Sequence, residues 1–316
     1  FPGPGRPGDL AAYPAVQFLL KSAARARADL APQSGDWPAI VRICQAMEGL
    51  PLGLELAAAW ASFLSYPEIA AEIERDQDLL QSRLRGIPER QRSLRAVFEH
   101  SWRLLDADER GAFARLSIFR GGLSQEAAAQ VAGAGLAQLA DMADKSLLYR
   151  DPGGRYDLHQ VLKQYAAEKL ALDPRAQEET ARRHSVYYLG LLQARSGQLM
   201  GSGEREALQA LSPEAENLRL AWQWAVQVGD WEVVRRTLPA WVLFFEMGGR
   251  RLEGEEVLRP AVEALRAAGG DSPLCRCTDG SRTAPTGAAE WGVPADGEPA
   301  LLGFLLAALR YFSCPP

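Results

Sequence analysis

Two short segments of the sequence carry residue types that suit contact with a ligand. The first is Gly49-Leu50-Pro51, in which glycine allows close approach to the backbone and proline offers a rigid apolar face without an N–H group. The second is His159, where a strand pattern gives way to a helix pattern. An imidazole there can donate a hydrogen bond to phosphate, and the helix N-terminus adds a favourable dipole. Two plainer alternatives stay open: a helix break of any α-helical protein at Gly49–Pro51, and a partly buried structural histidine at 159.

Motifs for catalysis are missing from the sequence. It contains no Gly-x-x-x-x-Gly-Lys-Ser/Thr loop to cradle a triphosphate, and no apolar strand ending in paired acids to hold Mg²⁺. There is also no nucleophile–base spacing, metal-ligand cluster or dinucleotide fingerprint. We therefore predict no catalytic residue and no metal ligand.

The four cysteines do not form a metal-site pattern. Cys44 lies in a helical apolar pattern and is predicted to be a small buried hydrophobic residue. Cys275, Cys277 and Cys314 have no second cysteine pair and no histidine nearby, which favours a solvated tail over metal ligation. A reducing compartment suits this usage, and a cytoplasmic location is predicted.

The composition is typical of a globular protein, with 47% hydrophobic and 24% charged residues among 316. The longest apolar runs, such as Leu54–Leu64, are too short for a membrane span, so no membrane contact is predicted. The formal net charge of −5 argues against a nucleic-acid surface over the whole chain. The N-terminus has no signal-peptide pattern. The first residue, Phe1, is not Met, which is typical of a fragment.

Helical periodicity dominates residues 12–267 and predicts a mainly α-helical fold. A flexible N-terminus at 1–11 precedes a first helical domain at 12–86. Its helices are predicted at Pro14–Leu30, Trp37–Met47, Leu52–Phe63, a short stretch from Pro67, and Arg75–Leu84. The Leu52–Phe63 helix is apolar on all sides, so it is predicted to be buried on most of them.

The pattern changes within the second predicted domain, 87–172. Asp106 and Glu109 have the spacing of a helix N-cap with a helpful acid three residues later, and Gly121-Gly122 is predicted to stop that helix. Ser146–Arg150 and Arg155–Leu158 then read as two short strands joined by a Gly-rich turn. Helices followed by strand, turn and strand are in the order of a winged helix-turn-helix domain.

The last part of the chain changes character twice. Residues 173–268 form helix pairs that resemble tetratricopeptide-type repeats, although no clean 34-residue repeat is present. Residues 269–316 are predicted to be a low-order tail without a period. Two explanations stay open for this tail: a disordered linker, or a reading-frame error after which the residues encode nothing selected. The apolar segment Leu301–Phe312 can form a helix under either explanation.

Two motifs resemble the nucleotide-binding module of STAND signalling ATPases, the NB-ARC-type class that includes apoptotic protease activators, plant disease-resistance proteins and large bacterial regulators. Glu48–Leu52 with the apolar helix after it is similar to the family's GLPL element. Leu158-His159-Gln160, which follows the Asp144–Leu148 segment, is similar to the Met-His-Asp triplet at the end of the family's winged helix. The resemblance implies that Gly49, Leu50 and Pro51 pack against adenine and that His159 reaches the diphosphate of ADP. Gln160 replaces the family's Asp and so removes a carboxylate that helps hold the domain interface in some members.

The same resemblance, over roughly residues 12–268, implies a regulatory fragment and not a self-sufficient enzyme. It makes 12–86 a helical lid, 87–172 a winged helix and 173–268 the start of a helical sensor, with the phosphate loop expected before Phe1. ATP or ADP, with Mg²⁺, would serve the intact protein and bind this chain only weakly. A further segment, Glu214–Leu218, is similar to one that follows the winged helix in large bacterial regulators, and is predicted to be a packing signature without chemistry.

Two other functions stay open. Helical repeats can present a surface to other protein domains or protomers, with Trp222, Trp224, Trp231 and Trp241 as anchors where exposed, although such spacing is more often core. The winged helix is a DNA-binding fold. Its candidate recognition helix, Leu136–Ala143, has only Lys145 nearby as a cation, so nucleic-acid binding is disfavoured.

Overall fold

The structure is a computed structural model of the chain that describes residues 10–83, 89–268 and 298–313. Across these ranges the protein is mainly α-helical with a two-stranded antiparallel sheet, which confirms the predicted fold class. The chain divides into two compact units: Phe1–Ser117 with Ser124–Leu172, and Ile118–Leu123 with Asp173–Pro316. Within the described ranges, every helix is too short or too polar to cross a lipid bilayer.

The first unit begins with helices that pack on one another around an apolar core. They are α1 (Pro14–Ala26), α2 (Trp37–Ala46), α3 (Pro51–Ala59) with a 3-10 turn at Trp60–Ser62, and α4 (Tyr66–Arg83). Helix α1 packs on α3, and α2 on α4. Burial raises the pKa of the Cys44 thiol in α2 to about 12, so this cysteine is an inert hydrophobic residue, as predicted.

Helix α4 corrects one prediction of the sequence analysis. A short helix from Pro67 and a separate one at Arg75–Leu84 were expected, but the chain is helical without a break from Tyr66 to Arg83. Proline at the second position is compatible with a helix start, and no glycine or further proline interrupts the helix after it.

The rest of the first unit has the order of a winged helix. Its elements are α5 (Glu89–Arg103), α6 (Ala107–Leu116), α7 (Gln125–Ala127) running into a π-helical turn at Ala128–Ala132, α8 (Leu136–Asp144), β1 (Tyr149–Arg150), β2 (Tyr156–Asp157) and α9 (Gln160–Ala171). The predicted capping box is present: Glu109 N donates to Asp106 Oδ1 at 2.8 Å, and Asp106 N donates to Glu109 Oε2 at 2.9 Å.

The sheet is a short hairpin, in which Tyr149 pairs with Asp157 and Arg150 with Tyr156. The turn is closed by Asp151, whose Oδ1 accepts a hydrogen bond from Arg155 N at 2.9 Å. The hairpin lies within the two predicted strand segments, so that prediction is confirmed in position and pairing.

The second unit is built of helices: α10 (Pro174–Ala194), α11 (Ser196–Leu199), α12 (Glu204–Leu211), a 3-10 turn at Ser212–Glu214, α13 (Ala215–Val228), α14 (Trp231–Met247), α15 (Arg251–Ala268) and α16 (Glu298–Ser313). Trp222 and Trp241 are fully buried with their rings 6.0 Å apart. These two tryptophans are therefore part of the core and not surface anchors.

Helix α6 ends earlier than predicted. Gly121-Gly122 were expected to stop it, but it ends at Leu116, and the Ser117 hydroxyl donates to Ala114 O at 2.6 Å. The reason is non-local, because the next six residues belong to the second unit, where Phe119 is fully buried. The two glycines shape a turn inside that segment.

Part of the predicted low-order tail is a packed helix. In α16, Leu301, Leu305 and Ala308 are buried, and the Phe312 ring lies so close to Gly254 in α15 that a Cβ there would come within 3.0 Å of it. Residues 269–297 and 314–316, with Cys275, Cys277 and Cys314, lie outside the described residues, so the two explanations of the tail stay open.

His184 is a buried titratable group in the second unit, with 1% of its surface exposed. Burial is the main cause that lowers the pKa of this imidazole; the hydrogen bond with Asn217 partly offsets it, the charge of Arg120 adds to it, and the net pKa is about 4. The imidazole is therefore neutral near pH 7.

We predict that His184 titrates near pH 4 and that the second unit loses stability as the pH falls from about 6.5 to 4. In this window the histidine is protonated in the unfolded state but stays neutral in the folded state, so a fall in pH favours unfolding. The free energy of unfolding should fall by about 3 kcal/mol across the whole window. NMR of labelled imidazoles, assigned with His184→Gln, measures the pKa. Titration near pH 6.5 with the fold intact would contradict this account.

Candidate functional site

The Gly49-Leu50-Pro51 turn connects α2 to α3. Glu48 and Gly49 both adopt left-handed backbone angles, with φ of 49° and 67°. Gly49 N donates to Cys44 O at 3.0 Å, and Leu50 N donates to Met47 O at 2.9 Å, so the turn satisfies carbonyls at the end of α2. Pro51 follows in the first turn of α3, where a missing N–H leaves no hydrogen bond unmade.

The turn presents its proline to solvent. Pro51 is exposed, and Gly49 and Leu50 are half-buried. Gly53 has a different role, because a Cβ at this buried position would lie 2.9 Å from Met47 Sδ and 3.2 Å from Leu94 Cδ2. Glycine at 49 thus serves the backbone conformation, whereas glycine at 53 allows α3 to pack closely.

His159 occupies the N-cap position of α9. Its imidazole makes no capping hydrogen bond, its side chain is exposed, and its ring lies 5.0 Å from that of Tyr149. As the N-cap residue, His159 directly precedes the N-terminal N–H groups of α9, where the helix dipole favours an anion. The alternative of a partly buried structural histidine does not fit this exposure.

Asp157 organises the polar groups next to His159. Its Oδ1 accepts hydrogen bonds from Leu158 N at 2.8 Å and from Lys163 Nζ at 3.0 Å. Its Oδ2 lies 3.4 Å from the Tyr149 hydroxyl, and burial together with the Asp157 charge raises the pKa of Tyr149. Because Lys163 is buried and already paired with this carboxylate, the candidate phosphate contact falls to His159 and the helix N-terminus.

A cleft of about 630 Å³ also opens in the first unit, between α1, α3, α5 and the end of α8. Trp60 forms part of its wall, with Nε1 donating to Ser101 Oγ at 3.2 Å and the ring 4.0 Å from that of His100. Phe63 and Leu104 expose 51% and 41% of their surface. Phe63 is thus the exposed end of the Leu52–Phe63 segment, which was predicted to be buried on most sides and is mostly buried. The volume falls within the range of small-molecule sites.

The described wall of the cleft contains two cations, Arg25 and Lys145, of which Lys145 is already neutralised. Lys145 pairs with Asp141 and, at 3.4 Å, with Glu109. Burial alone would raise the pKa of Asp141, but its hydrogen bonds with Lys145 and Glu109 and the charge of Lys145 outweigh that effect and lower it. Burial alone would lower the pKa of Lys145, yet the two carboxylates raise it. This cluster holds α6 to α8 and leaves little positive charge for an anionic ligand.

The predicted site residues do not line this cleft. Gly49, Leu50 and Pro51 lie at the start of α3 and His159 at the start of α9, and none of them is in the cleft wall. Their assignment to one nucleotide stays a prediction. The sequence analysis missed Trp60 as a wall residue, since its spacing reads as core and the cleft combines residues that are far apart in the sequence.

The candidate recognition helix, α8, lacks the cations that contact DNA phosphates. Helix α8 contains no lysine or arginine, and its exposed residues include Leu136, Ala140 and Asp144. In the hairpin, Arg150 is occupied, since its Nε donates to Gly154 O at 3.1 Å and its guanidinium lies over the Tyr156 ring. In the described ranges, no cluster of three or more histidine, cysteine, aspartate or glutamate side chains is arranged to hold a metal ion.

The chain is similar to curated mycobacterial proteins. It is 32% identical over 225 residues to a Mycobacterium tuberculosis protein named "Putative HTH-type transcriptional regulator". The aligned region covers 68% of this chain and 25% of that protein. A Mycobacterium bovis protein of the same description has the same identity and coverage. This chain is 31% identical over 180 residues to a Mycobacterium tuberculosis protein named "Uncharacterized protein", covering 53% of this chain and 46% of that protein. The chain thus spans about a quarter of the length of the regulators. No family model and no solved structure match it.

Replacing Gly49 by alanine tests the turn. A Cβ in the left-handed region costs about 1 kcal/mol, so the free energy of unfolding of the first unit should fall by that amount in a urea titration. Gly35→Ala is the matched control, because this loop glycine is not left-handed and has open space around its Cβ position. Equal stability of the two variants would show that Gly49 is not needed for the turn.

Proposed function

We propose that this chain is a regulatory piece of a nucleotide-dependent signalling switch within a transcriptional regulator. The similarity to proteins named as HTH-type transcriptional regulators supports the regulatory role. The nucleotide-dependent part rests on the resemblance of two motifs to STAND ATPases, and on one structural observation: the exposed imidazole of His159 at the N-terminus of α9, where no side chain caps the helix.

In this proposal, Gly49, Leu50 and Pro51 pack against adenine. The left-handed backbone at Gly49 brings the chain into α3 with the proline exposed, and a pyrrolidine ring offers an apolar face to a flat base. His159 donates a hydrogen bond to the diphosphate of ADP, aided by the dipole of α9. Gln160, which stands where the family has Asp, weakens the closed state in this scheme.

The chain is not an enzyme by itself under this proposal. The contacts that cradle a triphosphate and Mg²⁺ in such switches come from a phosphate loop, and the sequence holds no such motif. ATP or ADP with Mg²⁺ is proposed to serve the intact protein, in the cytoplasm. Here Gly49–Pro51 and His159 supply only part of the site, so binding to this chain should be weak.

The helical second unit is proposed to act as the sensor, and to contact other protein domains or protomers. Stacked helices expose extended faces, and the described exposed apolar side chains of this unit include Val186, Val228 and Leu252. A scaffold role without any nucleotide is the second candidate. DNA binding by the winged helix is disfavoured by the cation-free surface of α8.

We predict that the chain binds ADP with a dissociation constant of about 1 mM or weaker, equivalent to ~4 kcal/mol. His159→Ala should weaken binding about fivefold, because one hydrogen bond to phosphate is worth ~1 kcal/mol. Saturation-transfer NMR of ADP, with adenosine as a ligand that lacks phosphate, measures both effects.

Gln160→Ala is the matched control, because it changes an exposed neighbour and should leave ADP affinity unchanged. Equal binding of ADP by wild type and His159→Ala would remove the phosphate contact from the proposal. Micromolar ATP binding with steady hydrolysis by this chain would contradict the non-catalytic role.

A further inference from the structure

The segment Ile118–Leu123 packs within the second unit, although it lies in the chain between two helices of the first. Phe119 attaches the segment to the apolar core of the second unit. Its ring is fully buried, with centroid distances of 5.6 Å to His184 and 6.2 Å to Tyr188 in edge-on arrangements.

Asn217 of α13 binds the backbone of this segment. Arg120 N donates to Asn217 Oδ1 at 2.7 Å, and Asn217 Nδ2 donates to Gly122 O at 3.0 Å. Gly121 and Gly122 are both left-handed, with φ of 71° and 82°. This turn lets an N–H and a carbonyl two residues apart face the same side chain.

The remaining positions of the amide are also used. Asn217 Nδ2 donates to Glu214 Oε2 at 3.2 Å, and Asn217 Oδ1 lies 3.4 Å from Nε2 of the neutral His184 imidazole, which donates to it. A carboxamide has two donor hydrogens and two acceptor lone pairs, so all four positions are satisfied at a side chain with 0% exposure.

The pattern explains why the residue is asparagine. Because Arg120 N–H requires an acceptor and Gly122 O requires a donor, the orientation of the amide is fixed. Aspartate at 217 would lose both donors, and leucine would leave two backbone groups without partners. Glu214 and Asn217 belong to the Glu214–Leu218 segment that was predicted to be a packing signature, and their hydrogen bonds show what this packing includes.

We propose that Asn217 is a latch through which the helical region holds the loop between α6 and α7. The loop continues directly into α6 at Ser117 and into α7 at Ser124, whose hydroxyl accepts a hydrogen bond from Ala127 N and caps α7. A rearrangement around the start of α13 that opens the latch therefore frees the ends of both winged-helix elements. This coupling requires no bound nucleotide and is independent of the proposed ADP contacts.

Hydrogen exchange of Asn217→Ser in the full chain tests the latch. We expect the Arg120 amide to exchange at least about tenfold faster than in wild type, because it loses its acceptor. The amides of Ser117 and Ala127 should also exchange faster, as the ends of α6 and α7 are released. Amides in the middle of α13, such as those of Ala221 and Ala225, report whether the second unit stays folded.

Gln223→Ala is the matched control, because it changes an exposed residue of α13. It should leave the exchange rates of all these amides unchanged.

Gly121→Ala is a second variant that keeps Asn217 and the core intact. The added Cβ meets nothing closer than 4.0 Å, so the change acts through the left-handed backbone alone and should speed the hydrogen exchange of the same loop amides.

If either folded variant leaves the Arg120 amide as protected as in wild type, the proposal that Asn217 is a latch is wrong. Faster exchange at Arg120 without a change at Ser117 and Ala127 would also overturn it, as would equal acceleration throughout α13, which would make Asn217 an ordinary core residue.

Discussion

A carboxamide removed from water must satisfy its hydrogen bonds inside the protein, and the second unit is organised around one that does so. Two partners of Asn217 are backbone groups 97 and 95 residues earlier in the chain. These long-range hydrogen bonds of Asn217 bear on two features that look unrelated. Helix α6 ends at Leu116 because the residues after Ser117 bind elsewhere. His184, which contacts the same amide oxygen, stays neutral because it is buried and because the charge of Arg120 also lowers its pKa. The backbone segment that follows α6 is thus bound by a side chain of α13.

Features fixed by neighbouring residues could be predicted from the sequence. The capping box of Asp106 and Glu109, the Ser124 cap and the hairpin depend on contacts within a few residues, and all are present. The end of α6 could not be predicted, because helix-stop rules assign the stop to Gly121-Gly122, whereas a long-range contact moves it. The unbroken α4 shows the opposite error, in which one helix was divided in two although no glycine or proline separates the halves.

The candidate site divides in the same way. Local residue types point to the Gly49 turn and to His159, and the structure shows the left-handed glycine and the exposed imidazole that such roles need. The cleft beside Trp60 is formed by four separate helices, so no local pattern reveals it. Phe63 was assigned to the core from helical spacing. The 3-10 turn at Trp60–Ser62 has three residues per turn, which changes the phase of the helix and leaves Phe63 half exposed.

The central claim is that one nucleotide contacts the turn before α3 and the histidine before α9. The direct measurement is a titration of the labelled chain with ADP, followed by amide and imidazole chemical shifts. The account predicts that the signals of Gly49, Leu50 and His159 shift together along one binding curve, and that adenosine moves only the first two. Shifts confined to the cleft around Trp60, or shifts at Gly49 and His159 with different affinities, would contradict it.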